Sequence, residues 1–192
     1  MKPSERPTNL NIGPGRMARV HSFAPIADKN AEVLVLGSMP GQASLAAGQY
    51  YAHPRNAFWT ILADLLGFDP SLAYVERTQR LIGAGIALWD VLRSCERRGS
   101  LDSKIDRTSV VANDFARFFE EHPCVDRVFF NGGNAEALYR RHVSRTLVGT
   151  RVVSHMRLPS TSPANASIAA AAKAEAWRVA IAPTGVRYAA FR

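Results

Sequence analysis

The sequence predicts an α/β fold, a three-layer α/β/α sandwich around a central, mostly parallel four-stranded sheet. Two observations carry this expectation. From Glu32 onward, short apolar runs alternate with helical patterns, the signature of β–α units. The segments after three of those runs are small, polar and rich in Gly or Pro, as loops at the carboxyl ends of parallel strands are where a ligand gathers.

The elements follow in order. The first 18 residues, rich in Pro, Gly, Asn and charge, read as a flexible N-terminal arm, which leaves residues 19–192 as one domain. A chain of 192 residues with 47% apolar content is long enough for one well-buried core and short for two. The strands are expected at Val33–Leu36, Ile86–Trp89, Arg127–Phe130 and Arg151–Val153. Helical segments are expected at Asn56–Leu66, Ser71–Ile82, Asn113–His122, Ala135–His142 and Ala164–Ile181. In the third of these, Phe115, Phe118 and Phe119 form a stripe that should face the sheet, with Asn113 as a plausible N-cap.

Composition narrows the partner. Lys and Arg number 24 against 16 Asp and Glu, and the net charge of +8 favours a polyanion such as nucleic acid or an anionic membrane surface. A protein that is merely basic fits the charge equally well. Of those basic residues 20 are Arg, a bias that suits bidentate phosphate contacts, although genome composition also produces it. Two isolated cysteines, Cys95 and Cys124, support neither a disulfide framework nor a zinc site, and cannot hold an Fe–S cluster that needs four thiolates. No metal or other cofactor is expected. Without an 18-residue apolar stretch or a signal-like N-terminus, no membrane partner is expected and the cytoplasm is the default location. No Walker or Rossmann glycine pattern is present, which ranks a generic nucleotide-binding enzyme last.

The chemistry concentrates after the strands. Gly37 to Trp59 packs Gly, Pro, two tyrosines, His, Arg, Asn and Trp around a strand end and a helix start, a segment able to offer backbone amides, a stacking face and a polar side chain. Taken singly, its residues have plainer readings. Gly37 and Gly41 permit tight turns, Asn56 caps a helix, His53 before Pro54 is structural, and Tyr50 and Tyr51 divide evenly between packing and ligand stacking. Asn131 fits either a residue reading a ligand's edge or a turn residue. Asp90, Asp102 and Ser103 fit local hydrogen bonding better than direct roles.

As a whole the segment is more specific. The turn at Gly37-Ser38-Met39-Pro40-Gly41, with Tyr51-Ala52-His53-Pro54-Arg55-Asn56-Ala57-Phe58-Trp59 and the loop Leu158-Pro159-Ser160-Thr161-Ser162-Pro163, resembles the two motifs of the uracil-DNA glycosylase superfamily. The resemblance covers roughly residues 20 to 181. Met39 stands where that superfamily usually carries a water-positioning Asp or Asn, and Leu158 where several branches carry His. These departures, with the later Gly-Ser-Leu-Asp-Ser run ending at Ser103, look like its hypoxanthine-DNA glycosylase branch.

The resemblance implies a monofunctional enzyme of base-excision repair. It would flip a deaminated base (hypoxanthine, with xanthine or uracil as further substrates) out of DNA and hydrolyse its glycosidic bond. Asn56 is then the expected catalytic residue, and Gly37, Ser38, Met39, Pro40, Tyr51, His53 and Asn131 the expected base pocket. Ser160, Thr161, Ser162 and Asn165, with the N-terminus of the following helix, are expected to hold DNA phosphates. A lyase step needs an amine, and Lys2, Lys29, Lys104 and Lys173 all lie outside the matched motifs. DNA carrying a deaminated base is the expected partner and a monomer the expected state. A uracil or mismatch glycosylase of the same fold and a catalytically silent binder of damaged DNA are the alternatives.

Overall fold

Val33–Gly37 and Ile86–Asp90 are buried along their whole length, which is why they read as continuous apolar runs instead of alternating ones. A computed structural model describes residues 18–147 and 153–181. In chain order its elements are β1 (Ala18–His21), β2 (Val33–Gly37), α1 (Gln42–Ala47), α2 (Phe58–Leu66), α3 (Tyr74–Gly83), β3 (Ile86–Asp90) and β4 (Leu92–Arg97). A 3₁₀ turn at Asp102–Lys104 leads to β5 (Ile105–Ala112), α4 (Phe115–Glu121), β6 (Arg127–Asn131), α5 (Gly133–His142), β7 (Ser154–Leu158) and α6 (Ala170–Ile181).

Four strands form the parallel sheet, in the order β3-β2-β6-β7. Connections from β2 to β3 and from β6 to β7 run in opposite directions, so right-handed crossovers put their helices on opposite faces. Two aromatic clusters follow from this. Phe58 of α2 meets Trp177 of α6 at 5.8 Å and Trp59 meets Tyr74 of α3 at 5.7 Å, both edge to face. In the other cluster Trp89 of β3 stacks on Phe118 of α4 at 5.2 Å, and Phe115 meets Tyr139 of α5 at 5.2 Å. Between β2 and β6 the chain leaves in opposite directions, and such a switch point opens a crevice beyond the strands' carboxyl ends.

A second sheet was not legible in the sequence. β1, β4 and β5 pair antiparallel in the order β1-β4-β5, and their mixed burial leaves no continuous apolar run. β1 begins at Ala18, which pairs with Arg97, so the last residue assigned to the arm belongs to the fold; residues 1–17 of that arm lie outside the described residues. The fourth parallel strand is displaced from its expected position at Arg151–Val153 to Ser154–Leu158, residues 151 and 152 lying outside the described residues. It is an edge strand, exposed at every position but Leu158, and so lacks the apolar signature of its neighbours.

Several helix starts also move. α2 begins at Phe58, α3 at Tyr74 and α6 at Ala170, because the polar residues before each are spent on turns and caps. At α4 the N-cap is Asp114, whose side chain accepts from Arg117 N–H, and not Asn113, whose Nδ2 instead donates to Asp90 O at 2.8 Å. Phe115 and Phe118 are buried and Phe119 packs beside them, as the stripe requires. No described helix is long and apolar enough to cross a membrane.

One turn decides the register of the site. Gly132, just after β6, has φ +101°, and its N–H lies 3.0 Å from Leu158 O. A Cβ there would sit 2.8 Å from Ser160 Cβ. Gly132→Ala should therefore destabilise the fold by roughly 2–3 kcal/mol, from backbone strain and overpacking together, as read from urea unfolding. A change under about 0.5 kcal/mol would show that this turn relaxes freely.

Candidate active site

The crevice at the switch point is a cleft of about 820 Å³. The turn after β2, the loop before α2, the β4–β5 loop, the β6–α5 turn and the loop after β7 all reach it. Gly37, Ser38, Met39, Pro40, Tyr51, His53, Asn56, Asn131, Ser160, Ser162 and Asn165 line it together, so residues far apart in sequence converge as expected.

At the end of β2 the backbone is fixed by the second sheet. Gly37 O and Ser38 O accept from Val91 and Leu92 N–H at 2.9 and 3.1 Å. Gly37 has no room for a side chain, since a Cβ would lie 2.3 Å from Asp90 Oδ1 and 3.0 Å from the Tyr51 hydroxyl. Met39 belongs largely to the core, at 6% exposure, so no acid stands at this turn.

The loop before α2 is pinned at three points. Tyr50 N–H donates to Tyr74 OH at 2.9 Å, Tyr50 O accepts from Trp59 Nε1 at 2.9 Å, and Ala52 N–H donates to Ser44 Oγ at 3.2 Å. Between these anchors Tyr51 is held at φ +54°, a left-handed conformation that a bulky residue keeps only when its surroundings impose it. Its ring stacks on Phe58 at 4.1 Å, and its buried hydroxyl has no hydrogen-bond partner. Burial, then the nearby Asp90 carboxyl, push the Tyr51 phenol well above its ordinary range. Tyr50, by contrast, is a core residue whose hydroxyl donates to Phe23 and Ala24 carbonyls.

Asn56 is not the N-cap residue of α2, which is Ala57, but it lies just before it and its Oδ1 caps the helix's first N–H, accepting from Phe58 at 3.0 Å. The cap also orients the amide. With the oxygen bonded to the helix, Nδ2 has no partner among the described residues and the residue lines the cleft as a donor. His53 closes the preceding turn, Nδ1 accepting from Arg55 N–H at 3.1 Å.

Asn131 and Thr161 form a two-way clamp. Asn131 Oδ1 accepts from Thr161 N–H and Asn131 Nδ2 donates to Thr161 Oγ1, both at 2.8 Å. Thr161 is 1% exposed and absent from the cleft wall, so its expected phosphate contact is corrected to an internal brace. Asn165 is similarly occupied, with Nδ2 donating to Ser160 O at 3.1 Å and Oδ1 accepting from Ser167 Oγ at 3.1 Å. The helix N-terminus expected beside these residues is also displaced, since α6 starts at Ala170 after a series of turns. α6 instead anchors the loop: Trp177 Nε1 donates to Pro159 O at 2.9 Å, and Lys173 Nζ, buried and outside the cleft wall, donates to Asn165 O.

Three charged groups lie beneath the cleft. Asp90, 3% exposed at the end of β3, accepts from Ser22 Oγ at 2.9 Å. Burial raises its carboxyl to about 7 despite that bond, with Asp102 adding to the rise and Arg97 opposing it. Asp102 accepts from Ser38 Oγ at 2.5 Å and lies 3.8 Å from Arg97 Nη1. Burial raises the Asp102 carboxyl as well, while the Ser38 hydroxyl and the Arg97 guanidinium favour its ionised form. Arg97, at 3% exposure, donates to Pro40 O. Asp90 and Asp102 stand out in the sequence as polar residues after an apolar strand, where local hydrogen bonding is the better reading. Arg97 does not, because it lies on an unforeseen sheet. Among the described residues no three His, Cys, Asp or Glu side chains converge as a metal site would require.

Known proteins resemble this arrangement. The family model of the uracil DNA glycosylase superfamily matches residues 24–182. A hypoxanthine DNA glycosylase of Methanosarcina acetivorans is 36% identical over 147 residues, 74% of this chain and 86% of that protein. Another from Methanosarcina barkeri is 40% identical over 111 residues, 57% of this chain and 69% of that protein. In three dimensions, the solution structure of a Methanosarcina acetivorans protein described as a candidate uracil DNA glycosylase superposes with a TM-score of 0.71. At 32% identity, that match covers 85% of this chain and 97% of the other. With a family model spanning most of its length, and with the fold and cleft just described, this chain belongs to the uracil DNA glycosylase superfamily.

Proposed function

We propose that this chain is a monofunctional DNA glycosylase. It extrudes a deaminated base, hypoxanthine foremost, into the cleft and hydrolyses its glycosidic bond, leaving an abasic site. The observation that carries the reading is Asn56, whose oxygen caps α2 while its amide nitrogen is left to the cleft. Glycosidic cleavage develops negative charge on the departing base and positive charge on the sugar. A preorganised donor stabilises the first of these. Asn56 can therefore donate to the leaving base through Nδ2, while the second lone pair of its oxygen is still able to accept from an attacking water.

The remaining parts have matching tasks. Tyr51, backed by Phe58, offers its other ring face to the extruded base. Asp90, once ionised, places a buried negative charge that supports the cationic sugar. Ser160 and Ser162 on the loop after β7 meet the phosphates that flank the lesion. Hydrolysis needs no amine nucleophile, and among the described residues no lysine lines the cleft to supply one. We read the enzyme as a monomer acting on cytoplasmic DNA.

The test is a set of duplexes carrying one hypoxanthine, xanthine, uracil or mismatched thymine, each treated with alkali after incubation to break abasic sites. Strand cleavage at hypoxanthine is expected. Cleavage confined to uracil or thymine would transfer the chain to another specificity within the superfamily, and tight binding without any cleavage would reduce it to a damage binder.

A further inference from the structure

We infer that Ser38 is the residue that tells hypoxanthine from adenine, by presenting to the base a hydroxyl oxygen that can only accept a hydrogen bond. The inference rests on the glycosylase reading and adds to it the atom of the base that is read. Ser38 Oγ donates its one proton to Asp102 Oδ2 at 2.5 Å. An ionised carboxylate is acceptor-only, so the proton of this pair belongs to the serine. Arg97 favours that ionised form from below, against the burial that raises the carboxyl. Its side chain is fully buried, its Nη1 lies 3.8 Å from Asp102 Oδ1, and it also grips Pro40 O, the carbonyl two residues past Ser38. With its proton committed to Asp102, the Ser38 oxygen in the cleft wall has only lone pairs left to offer.

Deamination changes the polarity of one ring nitrogen. Adenine N1 and cytosine N3 are acceptors; in hypoxanthine and uracil, their deamination products, the equivalent nitrogen carries a hydrogen and donates, as guanine N1 and thymine N3 already do, so the test at this atom separates hypoxanthine from adenine and uracil from cytosine. An acceptor fixed at Ser38 rewards the donor. It repels the lone pair of undamaged adenine or cytosine, and a buried site with an unpaired polar group discriminates more strongly than one that merely excludes by shape. The second sheet thereby gains a purpose. Arg97 ends β4 and Asp102 follows it, so the antiparallel sheet delivers the pair that fixes the serine's polarity.

The experiment compares hypoxanthine with unsubstituted purine, which lacks both the N1 hydrogen and the 6-oxo group. Single-turnover cleavage of duplexes carrying each base is measured with wild type, Ser38→Ala and Ser38→Thr. Competitive binding of the non-cleavable 2′-fluoro counterparts is measured alongside, so that a variant without turnover still yields a ratio. Any contact to the 6-oxo group is common to all three proteins and cancels. The hypoxanthine-to-purine ratio is expected to fall at least about tenfold in Ser38→Ala and to stay within about threefold of wild type in Ser38→Thr. An unchanged ratio in Ser38→Ala, with wild type cleaving hypoxanthine normally, overturns the inference and leaves the glycosylase reading standing. A wild type that cleaves no deaminated base overturns both.

Discussion

Asn56→Ala is expected to slow single-turnover cleavage of a hypoxanthine duplex by about 10²–10³-fold, the usual cost of removing one preorganised donor from a developing anion. The variant also loses the cap on α2, where Oδ1 meets Phe58 N–H, and so should lose about 1 kcal/mol of stability. Asn56→Asp separates the two effects. A carboxylate still accepts from Phe58 N–H and preserves the cap, yet it has nothing to donate to a departing base. That variant should melt like wild type and remain as slow as Asn56→Ala at neutral pH. If Asn56→Asp cleaves at the wild-type rate, the donor lies elsewhere, and Asn131 is next in line.

Asp90→Asn should act on stability and activity in opposite directions. The folded carboxyl keeps its proton up to about 7, against an ordinary value of 3.8, so the native state carries the extra proton between those limits. Wild-type stability should consequently fall as pH rises through that window and level off above it. Asparagine removes this loss. The gap between variant and wild type should open from about pH 4 and reach, at most, roughly 4 kcal/mol by pH 8. Wild-type cleavage should in turn rise through pH 7 as the carboxyl ionises, and the variant should be flat and slower at pH 8 by on the order of 10²-fold. Melting curves and rates across this range decide it; a stability gap independent of pH would remove Asp90 from both roles.

How much of this was legible in the sequence depended on burial. β2, β3 and β6 announce themselves because their residues are buried between helices on both faces, or nearly so. β7 lies at the edge of the same sheet, and its position was missed for that reason. The antiparallel strands, half exposed and carrying Arg97, left no comparable pattern. In the cleft, the lining residues followed from motif and strand order, whereas the direction each side chain faces did not. Asn131, at the end of β6, and Asn165, after β7, are cleft-lining polar residues that turn out to hold the loop after β7 in place. Asn56 realises both readings open to it, since its cap is what aims its amide. Thr161 was misjudged because composition cannot tell a hydroxyl aimed at solvent from one aimed at a neighbouring amide.

The loop after β7 and the loop before α2 are parts of one lever. Ala57 N–H, next to Asn56, donates to Thr161 O at 3.1 Å, and Trp177 holds Pro159 O while its ring abuts Phe58, the residue whose N–H is capped by Asn56. On the proposed function, a nucleic-acid strand seated on residues 159–165 would be two short linkages away from the Asn56 amide. On that reading, grip on the backbone and aim at the base would share one set of contacts, and a duplex that seats poorly would leave the amide out of line.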